Sequence, residues 1–119
     1  MVLVLDDHPG YVEFYRSILA VHEINVGGFT LADEALASFR GMPDLYTCAV
    51  LDVFLATSEM DGLAVATALR SMRPGLPILF VTGLEDDDNI ALLKKIGGYQ
   101  RKRATAETLE RVLYRFAVG

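Results

Sequence analysis

Four polar residues stand at the ends of apolar runs. "VLVLDD" closes in Asp6 and Asp7, "CAVLD" in Asp52 and "ILFVT" in Thr82. If those runs are neighbouring parallel strands, the polar residues meet at one sheet edge. Three carboxylates gathered there repel one another strongly at low local dielectric, so the cluster makes chemical sense mainly around a cation. A hard, oxygen-loving divalent ion fits, and Mg²⁺ is the usual choice where a few carboxylates, several waters and a phosphoryl group share the shell. Each residue alone also has a plainer reading. "DDHPG" is good turn chemistry, an aspartate after a strand often caps a helix, and a strand-end threonine bonds to backbone. The set at matching strand ends is what favours a site.

The elements that would position these residues follow from hydrophobic periodicity. Short apolar runs at 2–5, 24–29, 48–51 and 78–81, with a weaker one at 98–101, alternate with helical spacing over 10–21, 31–40, 62–71, 86–96 and 105–117. The runs are continuously apolar rather than alternating, which suits a parallel sheet covered on both faces by crossover helices. Right-handed crossovers leave few topologies. The expected fold is a doubly wound, flavodoxin-like α/β sheet of five parallel strands in the order 2-1-3-4-5, with ligands beyond the carboxyl ends of the strands. Start signals support the helix placements: Thr30 with Asp33, Asp61 or Gly62, and Thr105 with Thr108.

Composition excludes several function classes. The 119 residues suit one domain spanning 1–119, and 52% hydrophobic with 23% charged residues is the composition of a folding chain. A net charge of −5 argues against a broad grip on nucleic acid. No apolar run reaches the roughly 18 residues of a membrane span, and the N-terminus lacks the features of a secretory signal, so a cytoplasmic protein without membrane contact is expected. Cys48, the single cysteine, sits in an apolar run and reads as a buried strand residue.

"LVLDDHPGY", "VGGFTLADEAL", "LDVFL" with "MDGLAVATALR", and "PILFVTG" together resemble, in order and rough spacing, the response-regulator receiver domains of two-component signalling. The resemblance covers essentially the whole chain. It implies that Asp52 accepts a phosphoryl group from a sensor histidine kinase or phosphotransfer protein, giving an aspartyl phosphate. It implies that Asp7 and Asp52 bind Mg²⁺ directly, that Asp6 assists through water, and that the Phe54 carbonyl completes the protein's share. Thr82 and Lys102 would hold the phosphoryl oxygens. Tyr99 would be the aromatic that moves with Thr82 and switches the surface of the fourth helix, fifth strand and fifth helix. A homodimer partner and an output domain outside the segment are further expectations of the family. His8, directly after the acid pair, matches a loop position with no required chemistry there; a metal or phosphohistidine role is the alternative reading.

Three departures from the family pattern stand out. Ala56 takes the place of a loop proline, and about two extra residues fall in the Thr57–Glu59 region. Arg103 follows the lysine where the family commonly has a proline, so the Lys102–Arg103 bond is expected to be trans. Tyr99 arrives about two residues early, which requires a shorter fourth helix or exit loop. The first two departures support an alternative function, a pseudo-receiver that binds proteins without turning over phosphate. A hydrolase would want a second acid two residues after Asp52, where the chain has Phe54.

Overall fold

In the computed structural model, which describes residues 1–56 and 60–119, strands and helices alternate along the chain. They are β1 (Val2–Leu5), α1 (Pro9–Ala20), β2 (Val26–Phe29), α2 (Ala32–Gly41), β3 (Cys48–Leu51), α3 (Gly62–Met72), β4 (Ile78–Thr82), α4 (Asp87–Ile96), β5 (Gly98–Arg101) and α5 (Ala106–Val118). The strands form one parallel sheet in the order β2-β1-β3-β4-β5. This is the expected topology, with the weak run at 98–101 forming an edge strand.

Strand alternation divides the apolar residues into two cores. Leu3, Leu5, Ala49, Leu51, Ile78 and Phe80 pack with residues of α2, α3 and α4 on one face. Val2, Val4, Cys48, Val50, Leu79 and Val81 pack with α1 and α5 on the other. β1, β3 and β4 are buried at every residue, which explains why they read as unbroken apolar runs. Cys48 is buried as expected, and that burial, the main influence on it, pushes its thiol pKa up.

Two boundaries shift for identifiable reasons. β2 begins at Val26 rather than 24, because the Ile24 amide donates to the Leu19 carbonyl and closes the end of α1. Glu23, with φ of 61°, makes the turn. α2 starts one residue later than expected: Leu31 occupies the N-cap position and its carbonyl accepts from Ala35 N. The Thr30 cap is therefore corrected to Leu31, with Asp33 and Glu34 supplying first-turn negative charge. The other two starts stand as read. Asp61 accepts from Ala64 N, and Thr105 accepts from Thr108 N.

The early arrival of Tyr99 has its counterpart between α4 and β5, where Gly97 alone links helix to strand. A side chain at that position would overlap the Ile78 carbonyl oxygen, so the short connection depends on glycine. The described residues contain no cis peptide, and Lys102–Arg103 is trans as expected. The extra residues expected at Thr57–Glu59 lie outside the described residues.

Gly62 couples the helix layer to the strand end that carries Asp52. Its amide donates to the Val53 carbonyl at 2.8 Å, and a Cβ there would overlap the Asp52 carbonyl oxygen and lie 2.8 Å from Val53 Cα. Gly62→Ala is expected to cost at least about 2 kcal/mol through overpacking against backbone that cannot yield cheaply. Urea unfolding checks it: the midpoint falls with the slope unchanged.

Candidate functional site

The register that aligns the strands also delivers the polar residues. Leu5 stands opposite Leu51, so Asp6 and Asp52 follow side by side, and Asp52 N donates to Leu5 O at 2.9 Å. Thr82 stands opposite Arg101, and Lys102 N donates to Thr82 O at 2.9 Å. Asp6, Asp52 and Lys102 thus come from three strand ends to one point beyond the sheet's carboxyl edge.

Lys102 Nζ lies 2.7 Å from Asp52 Oδ2, as a hydrogen bond, and 2.8 Å from Asp6 Oδ2. The second contact is a charge pairing without aligned hydrogen-bond geometry, since Asp6 Oδ2 has no hydrogen-bond partner among the described residues. The ammonium also sits 4.2 Å from the centre of the Tyr11 ring. Asp6, Asp52 and Lys102 are 1%, 4% and 8% exposed, so these charges are held largely away from water. Asp7 Oδ2 accepts from Ala56 N at 2.9 Å, tying the loop after β3 to the loop after β1. Asp7 Oδ1 is buried and has no hydrogen-bond partner among the described residues.

Burial is the largest influence on Asp6 and raises its carboxyl pKa above the ordinary value, despite the opposing pull of Lys102 and of the His8 amide, which donates to Asp6 Oδ1. Burial is also the largest single influence on Lys102 and pulls it down, but the carboxylates of Asp52 and Asp6 together outweigh it. The ammonium is therefore held above its ordinary value.

Around this centre lies an open cleft of about 420 Å³, lined in part by Asp7, Asp52, Phe54, Gly83, Lys102 and Arg103. The Phe54 ring is exposed at the cleft, and the Phe54 amide donates to Asp52 Oδ1 at 3.3 Å. Thr82 is fully buried at the end of β4, where its Oγ1 accepts from Leu84 N at 3.4 Å. Tyr99 is half-buried on β5 and donates its hydroxyl to Leu84 O at 2.7 Å. Asp6, Asp7, Asp52 and Lys102 are thus in direct proximity, whereas Thr82 and Tyr99 meet each other through Leu84. Arg101 points elsewhere and pairs with Glu85 at 2.9 Å on the surface.

Tyr11 escaped the sequence reading, which takes His8 first as a loop residue and second as a metal or phosphohistidine candidate. Tyr11 and His8 both touch the charged centre, with His8 Nδ1 3.0 Å from Asp7 Oδ1 and 3.3 Å from Asp6 Oδ1. The signal available for Tyr11 was its place in the first turn of α1, directly after the acidic pair.

A divalent cation fits the donor set. One ligand atom each from Asp6, Asp7, His8 and Asp52 lies within 4.8 Å of every other, and Asp7 Oδ1 is a buried acceptor without a hydrogen bond among the described residues.

The topology and the acidic strand-end cluster define a doubly wound α/β protein with its site at the carboxyl edge of the sheet. The model of the response regulator receiver domain family matches residues 2–113, and the chain belongs to that family. The chain is 38% identical over 92 residues to the probable transcriptional regulatory protein TcrX of Mycobacterium tuberculosis, covering 76% of this chain and 37% of that protein. It is 30% identical over 97 residues to the transcriptional regulatory protein ZraR of Salmonella typhimurium, covering 81% and 21%. It therefore spans well under half of these relatives. Among solved structures, the receiver domain of NtrX from Brucella abortus superposes with a TM-score of 0.85 at 24% identity, covering 99% of this chain and 98% of that one. Chemotaxis protein CheY4 of Vibrio cholerae gives 0.82 at 24% identity, covering 97% and 96%. Among the described residues no helix is long and apolar enough to cross a membrane.

The raised Asp6 value fixes the sign of a pH effect. Its contribution to stability is complete below the ordinary carboxyl value of 3.8 and is lost as pH rises through the higher folded-state value, where the buried carboxylate must ionise. In metal-free buffer, Asp6→Asn is expected to remove this decline and to stabilise the chain at neutral pH relative to acid. Thermal melts of both proteins in EDTA across that window would show it, and parallel pH profiles would contradict it.

Proposed function

We propose that the chain is a phosphoacceptor switch, a Mg²⁺-dependent receiver that takes a phosphoryl group onto Asp52 from a sensor histidine kinase or a phosphotransfer protein. The observation that carries this reading is the 2.7 Å contact of Lys102 Nζ with Asp52 Oδ2 in an open cleft, beside the buried Asp7 Oδ1, which has no hydrogen bond among the described residues. A carboxylate oxygen of Asp52 attacks the phosphorus of a phosphohistidine in line. The O–P bond forms as the P–N bond breaks, and the electron pair leaves with the imidazole nitrogen. Lys102 holds the carboxylate before transfer and pairs with phosphoryl oxygens after it, as a compact point charge. Asp6, Asp7, Asp52 and the Phe54 carbonyl would hold Mg²⁺, which when bound offsets charge on the phosphoryl oxygens.

The contacts of Leu84 support a switching role. Its amide donates to Thr82 Oγ1 and its carbonyl accepts from the Tyr99 hydroxyl. A phosphoryl group that drew Thr82 Oγ1 toward Asp52 would disturb the residue that anchors Tyr99, biasing the surface of α4, β5 and α5 between two states. In this reading residues 1–119 form one receiver domain that works in the cytoplasm. It signals to a partner or to an output domain elsewhere, consistent with its short span of TcrX and ZraR. The homodimer belongs to the same α4-β5-α5 surface.

Intact-mass spectrometry after incubation with phosphoramidate tests the chemistry. One phosphoryl group per chain is expected with Mg²⁺, none with EDTA, and none for Asp52→Asn. Lys102→Ala is expected to slow the gain by about 10²-fold, the usual cost of removing one charge-stabilising donor. An unmodified wild-type mass under all conditions would leave the phosphorylation-independent pseudo-receiver in its place. Independently of phosphorylation, Mg²⁺ at a hundredfold excess over its dissociation constant should add about 2.7 kcal/mol to the unfolding free energy. Asp7→Asn should erase most of that gain in denaturant titrations.

A further inference from the structure

One donor beside the proposed cation site is a nitrogen. His8 Nδ1 lies 3.0 Å from Asp7 Oδ1 and 3.3 Å from Asp6 Oδ1, and it belongs to the four-residue group whose ligand atoms all lie within 4.8 Å of one another. Adjacent ligands around a six-coordinate ion with bonds of about 2.1 Å stand about 3.0 Å apart, and opposite ones about 4.2 Å apart. The imidazole nitrogen therefore has the spacing of a neighbouring ligand to both carboxylates.

A second observation points to an ion at this place. The Asp7 side chain is 8% exposed, and its Oδ1, the oxygen nearest His8 Nδ1, is buried without a hydrogen-bond partner among the described residues. Burying a carboxylate oxygen without a hydrogen bond is costly, and a cation shared by it and the ring nitrogen would remove that cost. Local structure already holds the ring in position. The His8 amide donates to Asp6 Oδ1 at 2.9 Å, Pro9 fixes the start of α1, and the ring meets Tyr11 edge-on with centroids 6.1 Å apart. The rest of the imidazole faces solvent, so exchange of the ring nitrogen from carboxylate to metal needs no repacking.

We propose that His8 Nδ1 is a ligand of the divalent site, and that it turns the ion preference of this receiver from Mg²⁺ toward transition ions that accept imidazole. This inference rests on the cation reading of the cleft given above. Mg²⁺ takes oxygen donors and dehydrates reluctantly, whereas Mn²⁺, Co²⁺ and Zn²⁺ gain from a neutral imidazole nitrogen in increasing order of affinity up to the late members of the series. A carboxylate-only site also favours the later ions somewhat. The contribution of His8 is therefore read as a change in selectivity, not as an absolute affinity.

Calorimetric titration of Co²⁺ and of Mg²⁺ into the 119-residue wild type, His8→Ala and His8→Gln provides the test. The ratio of Co²⁺ to Mg²⁺ affinity is expected to fall about tenfold or more in both variants. In ¹⁵N-histidine-labelled wild type, Co²⁺ is expected to displace the His8 Nδ1 resonance. The resonances of His22, which stacks on Tyr114 with centroids 4.1 Å apart, serve as the internal reference. Thermal melts confirm that the variants are folded. An unchanged ratio with normal Mg²⁺ binding, or a Co²⁺ complex that leaves His8 Nδ1 undisplaced, would overturn the role of His8 while leaving the Mg²⁺-dependent switch standing. Failure of every divalent ion to bind the wild type would overturn both.

Discussion

The ammonium of Lys102 between Asp52 and Asp6 is the constraint on which the site depends. Two carboxylates that share a buried strand edge cannot both ionise without a nearby cation, and one of their own chain's lysines supplies it at 2.7 and 2.8 Å. Its reach is set by the backbone. Lys102 follows directly on β5, and its amide is bonded to the carbonyl of Thr82 at the end of β4, so the side chain starts from a fixed point beside the acids. With Asp7 included, one ammonium faces three carboxylates. Two negative charges are left over, the charge that a divalent cation matches. A folded protein with this composition at its sheet edge is incomplete electrostatically, and that incompleteness is the basis of the chemistry proposed for it.

The scaffold makes this possible by separating hydrophobic and electrostatic work. β1, β3 and β4 are buried on both faces and hold the fold through sheet hydrogen bonds and apolar packing, on two cores divided by strand alternation. Their carboxyl ends can then carry residues that cost stability. Gly62 and Asp61 show how closely the two are joined. The capped start of α3 presses on the backbone of Asp52 and Val53, so the nucleophile candidate is fixed by helix packing as much as by its own strand.

Much of this was legible in the sequence because parallel strands announce themselves twice, through continuous apolar runs and through the polar residues that end them. Asp6, Asp7, Asp52, Thr82 and Lys102 could all be picked out in this way or by resemblance, and the strand register brings four of them together. What could not be read was set by side-chain direction across elements. His8 looked like part of a turn because its sequence neighbours are turn formers, and its ring nitrogen gains meaning only from the rotamer that aims it at Asp7 and Asp6. Tyr11 under Lys102 depends on the start of α1 meeting a side chain about ninety residues away in sequence. The boundary of β2 was missed because Ile24 is apolar, as a strand residue would be, while its amide is committed to ending α1.

The departures from the family pattern fall around the same centre rather than on the far side of the fold. Ala56 and Arg103 border the cleft, Ala56 binds Asp7 Oδ2 through its amide, and Gly97 shortens the path into the strand that bears Tyr99 and leads to Lys102. In a fold where the reactive group and its cation are fixed by strand register, ion choice, phosphoryl lifetime and partner fit are free to vary only in the loops that follow the strands. His8 shows how: it stands in the loop that follows β1, and a change there alters the donor set without disturbing a single buried residue of the sheet.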